Sequence, residues 1–218
     1  MGKLIVIDGL DGSGKSTQSE LVIEKLREKG EKVLLISFPD YKEPSSALVK
    51  MYLGGEFSSS PDGVNAYAAG TFYAVDRYAS YKKFWEEKYL QGYTILATRY
   101  VSSNAIHQMV KLPKSEWDNY LDWLDDFEYK KLGLPKPDKV IFLDMGRKVA
   151  DKLIESRYGH DESKKDIHEK DRMYLESCQA TASYAAKKRN WDVVSCDDGE
   201  NPLPLETVTD KIMECLER

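Results

Sequence analysis

The sequence predicts an α/β fold in which a doubly wound, five-stranded parallel sheet is flanked by helices. Five short runs rich in Val, Ile and Leu alternate with longer segments of helical periodicity, the pattern of parallel strands buried on both faces. The first run is followed at once by a glycine-rich loop and a helical pattern, as in a βαβ unit. At 218 residues the chain fits one such domain, and we predict a single domain over residues 1–218.

The predicted strands are near-continuous apolar runs bounded by polar residues or glycine. They span residues 3–7 (KLIVI), 32–37 (KVLLIS), 93–98 (YTILAT), 139–143 (KVIFL) and 192–195 (DVVS). Helices are predicted over residues 18–29, 47–53, 61–90, 148–156 and 205–216, and over 100–132 with a break at Pro113. A further long helix is predicted after the polar segment 157–166, ending at about Arg189. Ligands bind at the carboxyl ends of parallel strands, so the residues that follow the strands should converge.

The segment GLDGSGKST, residues 9–17, has the spacing of a phosphate-binding loop. The candidate nucleotide-binding residues are Gly9, Asp11, Gly12, Ser13, Gly14, Lys15, Ser16 and Thr17. The glycines let backbone N–H groups approach a polyanion, and the start of the next helix adds a positive dipole end. Lys15 would contact the β- and γ-phosphates, and the Ser16 hydroxyl is the expected Mg²⁺ ligand. The loop predicts that the protein binds a nucleotide, but it does not indicate which reaction the protein catalyses.

Charge and cysteine usage argue against several classes of protein. The chain has 37 acidic and 32 basic residues and a formal net charge of -5, so we expect no nucleic-acid partner. Its three cysteines have neither the spacing of a zinc site nor that of a disulfide framework. Because no apolar stretch is long enough to span a bilayer, we expect no membrane partner and a cytoplasmic location.

Two pairs of side chains are candidates for binding a second ligand. Tyr73 and Arg77 are four residues apart on a predicted helix and share a face that suits a flat heterocycle with exocyclic oxygens. The alternative places Tyr73 in the core and Arg77 on the surface. Arg99 directly follows the third strand and could clamp a phosphate, with Ser103 or Asn104 reaching a base.

Residues 157–166 (RYGHDESKKD) are almost wholly polar, which predicts a mobile lid. A cationic lid excludes water and stabilises a transferring phosphoryl group. The candidate lid cations are Arg157, Lys164 and Lys165.

Taken together, these residues resemble the thymidylate kinase family of P-loop nucleoside monophosphate kinases over nearly the whole chain. The stretches that carry the resemblance are residues 8–18, Phe38-Pro39, residues 73–77, Arg99-Tyr100 with Ser103, Pro137-Asp138 and residues 168–171 (HEKD). The resemblance implies a P-loop nucleotide kinase fold and transfer of a phosphoryl group from ATP to dTMP, giving dTDP and ADP. It also implies Mg²⁺ as cofactor and a homodimer.

The same resemblance implies roles for individual residues. Lys15, Arg99 and Arg157 would be catalytic, with Arg99 holding the acceptor phosphate. Asp11 would receive the deoxyribose 3′-hydroxyl, Tyr73 would stack on thymine, and Arg77 would contact an exocyclic oxygen. The remaining implied substrate contacts are Phe38, and Ser103 or Asn104 at the base edge.

Three positions bear on how far the resemblance extends. Position 12 is Gly rather than Arg, so the lid would supply the catalytic cation. Thr98 stands where the family usually has an aspartate that helps to hold Mg²⁺, and Asp8 or Asp40 could compensate. Ile167 replaces the usual lid arginine. Two alternatives stay open: a kinase for another deoxynucleotide or deoxynucleoside, and a nucleotide-binding relic with weak turnover.

Overall fold

The computed structural model describes residues 1–158, 167–168 and 171–218, without the side chains of Arg157, Tyr158 and Arg172. Within these residues five strands form one parallel sheet in the order β2-β3-β1-β4-β5. They are β1 (Lys3–Gly9), β2 (Val33–Ser37), β3 (Thr94–Thr98), β4 (Lys139–Asp144) and β5 (Asp192–Ser195). The predicted α/β fold with a five-stranded parallel sheet is confirmed.

The helices cover both faces of the sheet. In chain order they are α1 (Lys15–Glu28), α2 (Ala47–Leu53), α3 (Ala66–Ser80), α4 (Glu86–Leu90), α5 (Val101–His107), α6 (Trp117–Leu124), α7 (Arg147–Tyr158), α8 (Arg172–Arg189) and α9 (Leu205–Glu217). None of the helices in the described ranges is both long and apolar enough to cross a membrane.

The helix predicted over residues 61–90 is shorter and is interrupted. It begins at Ala66, because the Asn65 side chain caps it by accepting a hydrogen bond from the Ala68 N–H at 2.9 Å, while Pro61–Gly63 form a separate 3₁₀ turn. A π-helical turn, Tyr81–Trp85, then separates α3 from α4. A second π-helical turn, Asp125–Lys131, extends α6. The predicted break at Pro113 lies between α5 and α6, where Pro113 is extended.

Alternation along the strands divides the core between the two faces of the sheet. Leu4 and Val6 of β1 face one cluster, which includes the fully buried Trp85, whereas Ile5 and Ile7 face another, to which α1 and α9 contribute. In the register of the sheet, Ile7 lies opposite Thr98 of β3. The loop after β1 and the residues after β3 therefore emerge side by side at one edge.

Candidate active site

The loop between β1 and α1 has the backbone conformation that its glycines predict. Gly12 and Gly14 have φ values of 83° and 82°, in the left-handed region that favours glycine. A Cβ at Gly14 would meet nothing within 4 Å, so this side of the loop is open. A Cβ at Gly12 would lie 2.7 Å from the carbonyl oxygen of Ala150 in α7. An arginine at position 12 would therefore require α7 to move.

The polar side chains of this loop lie along the loop and on the first turn of α1. The Lys15 side chain folds over the loop and donates to the Leu10 carbonyl at 2.7 Å, with Nζ 3.9 Å from Asp11 Oδ1. The Ser13 hydroxyl is buried and has no hydrogen-bond partner among the residues described. Ser16 and Thr17 are exposed on the first turn of α1. The loop thus presents a cation and helix-start N–H groups to one place, as a phosphate site requires.

The oxygen donors at this edge fit a magnesium ion that arrives with a nucleotide. Mg²⁺ keeps several waters and binds through one or two protein oxygens together with substrate phosphates. The exposed Ser16 hydroxyl at the start of α1 meets that requirement. Across the described ranges, no group of three or more His, Cys, Asp or Glu side chains is placed to hold a metal ion.

Asp8 and Thr98 tie the strand ends to the helices that follow. The fully buried Asp8 carboxylate accepts hydrogen bonds from the hydroxyls of Ser102 and Ser103 at 2.6 and 2.8 Å. Thr98 donates to the Ser19 hydroxyl of α1 at 2.8 Å. The hydroxyl at position 98 is therefore already committed to holding α1 against β3.

Arg99 connects the phosphate loop to α5 through its contacts with Asp11 and His107. Its φ is 65°, a strained value for a residue with a Cβ and one that is concentrated at functional sites. Its Nη2 forms a close ion pair with Asp11, and its Nη1 donates to His107 Nε2 at 3.0 Å. Burial would raise the pKa of Asp11, but Arg99 and then Lys15 outweigh it, so the pKa of this carboxyl lies well below its usual range.

Two buried histidines line the same region, and sequence reasoning missed them. Because a guanidinium only donates, His107 accepts at Nε2 and carries its proton on Nδ1, which has no partner among the described residues. Lys111 donates to the Tyr52 hydroxyl at 2.7 Å, and that hydroxyl is hydrogen-bonded to His168 Nε2 at 2.8 Å. The two imidazole rings are nearly parallel, 6.0 Å apart. Tyr52 and His168 are 116 residues apart in the chain, so no local periodicity predicts this arrangement.

The neutral state of His168 leads to a prediction about pH. Burial, followed by the nearby Lys111, lowers the pKa of His168 to about 3 from 6.5. Between these values the unfolded chain binds a proton that the folded chain does not, so His168 destabilises the fold progressively as the pH falls from 6.5 towards 3. We expect this residue to contribute a slope of about 1.4 kcal/mol per pH unit.

Urea unfolding of the wild type and of His168→Gln between pH 7 and pH 4 measures this contribution. The variant should show the shallower pH dependence, because its side chain does not titrate. Parallel curves for the two proteins would show that His168 is protonated equally in the folded and unfolded states.

The predicted base-binding residues lie on α3 and beside it. Tyr73 is half-buried and packs edge-on against Tyr52 at a centroid distance of 6.4 Å. Phe38 is buried and packs against Tyr100 at 5.9 Å. Arg77 is only 1% exposed, so the alternative that places it on the surface is wrong. The roles of these residues towards a base stay predictions.

Arg77 and Asn104 share a buried partner, Glu128, that sequence reasoning missed. Arg77 donates from Nε and Nη2 to the two carboxylate oxygens at 2.7 Å each, and Asn104 Nδ2 donates to one of them at 3.1 Å. Asn104 also donates to the Gly70 carbonyl at 3.1 Å. One sequence signal was available: Glu128 continues the apolar stripe of Leu121 and Leu124, where a charge requires a partner.

The predicted catalytic lid falls largely outside the part of the chain that the structure describes. Arg157 belongs to the last turn of α7, but its side chain is outside the described set. Residues 159–166, which include Lys164 and Lys165, also lie outside the described residues.

Known proteins share both the sequence pattern and the fold. The thymidylate kinase family model matches residues 7–210. A thymidylate kinase from Mycobacterium tuberculosis is 30% identical over 171 residues, covering 77% of this chain and 78% of that protein. The human thymidylate kinase is 30% identical over 161 residues, covering 73% and 68%. A solved structure of a thymidylate kinase from Candida albicans has a TM-score of 0.71 and 24% identity, covering 99% and 91%, and supports the fold alone.

The family match extends over the phosphate loop, Arg99, α3 and α5, which carry the candidate site residues described above. The level of identity to the bacterial and human proteins is maintained over most of the length of each. This chain belongs to the thymidylate kinase family.

Proposed function

We infer that this chain transfers the γ-phosphoryl group of ATP to the 5′-phosphate of dTMP, giving dTDP and ADP. The observation that carries the inference is the ion pair between Asp11 of the phosphate loop and Arg99 at the end of β3. It joins a donor site and an anion clamp in one cleft, and transfer between two phosphates requires such an arrangement.

On the donor side, Lys15 and the N–H groups of the phosphate loop bind the triphosphate. Lys15 neutralises charge on the β- and γ-phosphates, and the Ser16 hydroxyl binds Mg²⁺. Mg²⁺ held by the Ser16 hydroxyl would neutralise part of the charge that develops on the phosphate groups. Gly9, Gly12, Ser13, Gly14 and Thr17 shape the loop around the phosphates.

On the acceptor side, Arg99 binds the 5′-phosphate as a bidentate donor. Asp11 is ionised, so it accepts a hydrogen bond from the deoxyribose 3′-hydroxyl. Tyr73 stacks on the base beside Phe38, and Arg77 with Asn104 contacts the base edge. The Ser103 hydroxyl, which is bonded to Asp8, is the second candidate for the base-edge contact.

Transfer consists of one in-line displacement. An oxygen of the dTMP phosphate forms a bond to the γ-phosphorus while the bond to the β,γ-bridging oxygen breaks, and ADP leaves with the electron pair. The transition state is loose and highly charged, so positioned cations contribute most of the acceleration. Lys15 and Arg99 supply two of them, and we propose that Arg157 or another cation of the lid at residues 157–166 supplies a third.

An acceptor panel tests the substrate assignment. ADP release is measured with ATP, Mg²⁺ and each of dTMP, dCMP, dGMP, dAMP and thymidine. We expect dTMP to have the highest kcat/KM. A higher value for another acceptor would reject dTMP as the substrate, and the lack of multiple turnover with every acceptor would indicate a nucleotide-binding relic.

Thr98 allows a prediction about the metal requirement. A carboxylate at this position would add a hard oxygen at the end of β3, next to α1, so Thr98→Asp should lower the Mg²⁺ concentration that gives half-maximal turnover. Thr98→Asn is the matched control, since it has the same shape without the charge. If both variants require the same Mg²⁺ concentration, position 98 does not contribute to binding the ion.

We propose that the protein acts as a homodimer. The outer side of α3 carries Val75 and Tyr78, which are three residues apart and each more than 40% exposed. Large apolar side chains that cluster on a surface indicate an interface. Light scattering of the protein as it elutes from a size-exclusion column should give a molar mass of twice the 24.9 kDa chain mass. Tyr78→Glu should shift the measured mass towards that of the monomer.

We also propose a cytoplasmic location. Its support is the state of Cys178, Cys196 and Cys215, which are free and buried in the structure, because thiols persist in reducing compartments. Cell fractionation with antibody detection tests this location.

A further inference from the structure

Glu128 is bonded to two of the residues proposed to contact the base, although it lies 24 residues beyond Asn104 in the chain. It belongs to the π-helical turn Asp125–Lys131 and is fully buried. Its Oε1 accepts from Arg77 Nη2 at 2.7 Å and also from Asn104 Nδ2 at 3.1 Å. Because one carboxylate oxygen bridges the guanidinium and the amide, these two groups lie side by side.

These bonds determine which way the Asn104 amide faces. The two hydrogens of Nδ2 are directed to the Glu128 carboxylate and to the Gly70 carbonyl. Both partners only accept, so exchanging Nδ2 with Oδ1 would set an oxygen against two acceptors. Oδ1 accepts no hydrogen bond from any residue within the described part of the chain. Asn104 therefore offers a ligand an acceptor and no donor.

Arg77 supplies the complementary chemistry next to it. A guanidinium has five N–H donors and no acceptor. Glu128 accepts from two of them, and the Tyr100 carbonyl accepts from Nη1 at 3.3 Å. The pair thus combines an acceptor, Asn104 Oδ1, with a donor, an N–H group of Arg77 that none of these bonds uses. This polarity matches the imide edge of thymine, where a donating N3–H lies beside the accepting O4, and it opposes cytosine, where N3 accepts and the 4-amino group donates.

We propose that Glu128 is a positioning residue that makes the acceptor site selective for pyrimidines with an N3–H imide edge over pyrimidines with a 4-amino group. The inference rests on the proposed function, since it takes dTMP as the acceptor. Glu128 acts on the base through Arg77 and Asn104. Its carboxylate holds the amide in one orientation and balances the charge of a buried guanidinium.

Glu128→Gln tests this role, because the amide keeps the shape of the side chain but adds a donor. A donor facing Asn104 allows the asparagine amide to turn and present Nδ2 to the base. We expect the ratio of kcat/KM for dTMP to that for dCMP to fall by about 10-fold or more, the discrimination typical of a lost bidentate contact. The KM for dTMP should rise more than kcat falls. Where dCMP turnover is too slow, its inhibition constant against dTMP replaces kcat/KM.

Asp126→Asn is the matched control. Asp126 is a neighbour in the same π-helical turn, its side chain is 42% exposed, and it pairs with Lys131. The substitution changes the charge by the same amount without touching Arg77 or Asn104, so the ratio should keep its wild-type value. If Glu128→Gln lowers kcat/KM for both acceptors by one factor and leaves the ratio unchanged, Glu128 only supports the fold and the proposal is overturned.

Glu128→Asp decides the question if circular dichroism shows that Glu128→Gln does not fold. The shorter carboxylate keeps its charge and still only accepts, so the wild-type selectivity should be retained. Its displaced oxygens should raise the KM for dTMP several-fold at unchanged kcat. An unchanged KM would overturn the proposal.

Turnover of dTMP by the wild type shows whether a negative result concerns the proposed function or only the role of Glu128. If wild-type protein turns over no dTMP, the proposed function fails whatever Glu128 does. If it turns over dTMP and neither Glu128 variant shows its expected change, only the role of Glu128 fails.

Discussion

Arg99→Ala is expected to lower kcat/KM for dTMP by about 10³-fold, the size of effect found when a cation that stabilises a transferring phosphoryl group is removed. The guanidinium is held between Asp11 and His107, so it lies ready to exchange these partners for an acceptor phosphate. The KM for ATP should change little, because Lys15 and the loop N–H groups bind the donor. Steady-state kinetics with each substrate varied in turn measure both effects.

Two control variants sharpen this result. Arg99→Lys keeps the charge but loses the bidentate fork, so it should recover only part of the activity. Arg189→Ala removes an arginine at the end of α8, where it pairs with Asp122 and Asp125, and should leave kcat/KM for dTMP unchanged. Wild-type kinetics in Arg99→Ala would remove Arg99 from the proposed acceptor site.

Arg77→Met is expected to lower the free energy of unfolding by about 3–5 kcal/mol, because it leaves the Glu128 carboxylate buried without its cation. Both side chains are at most 1% exposed. Burial lowers the pKa of Arg77, but the charge and hydrogen bonds of Glu128 outweigh this and raise it, so the two groups form an ion pair in the interior. Urea unfolding monitored by circular dichroism measures the change.

The double variant Arg77→Met, Glu128→Leu distinguishes two causes of a lower free energy of unfolding: loss of the ion pair, and burial of an unpaired carboxylate. Replacing both partners with apolar side chains of similar size should recover most of the lost stability. Equal stability of the single and double variants would show that the unpaired carboxylate is not the source of the destabilisation.

Most of the fold could be predicted because the strands are buried on both faces. Such strands have to be apolar along their whole length, so their runs stand out from the amphipathic helices. The bounds of α2 and β5 agree with the prediction at both ends. The long aromatic segment after Pro61 was less predictable. Its start depends on the Asn65 cap, and π-helical turns have no sequence periodicity of their own.

The candidate site was only partly predictable. The phosphate loop and Arg99 are local features, since each directly follows a strand and requires no knowledge of distant residues. Glu128 lies 51 residues from Arg77 in sequence, and an acidic residue among Asp125 and Asp126 resembles a solvated helix end. His168 depends likewise on Tyr52, 116 residues away. Pairings of this kind come from tertiary packing and leave little trace in local patterns.

A single turnover with ATP labelled with ³²P at the γ-position tests whether the γ-phosphoryl group is transferred to dTMP. The enzyme is held in excess over labelled ATP, with Mg²⁺ and dTMP present, and the products are separated by chromatography. We expect the label to appear in dTDP, with one ADP formed for each labelled product. Label that appears only in inorganic phosphate, or that stays in ATP, would contradict transfer between the two nucleotides in this cleft.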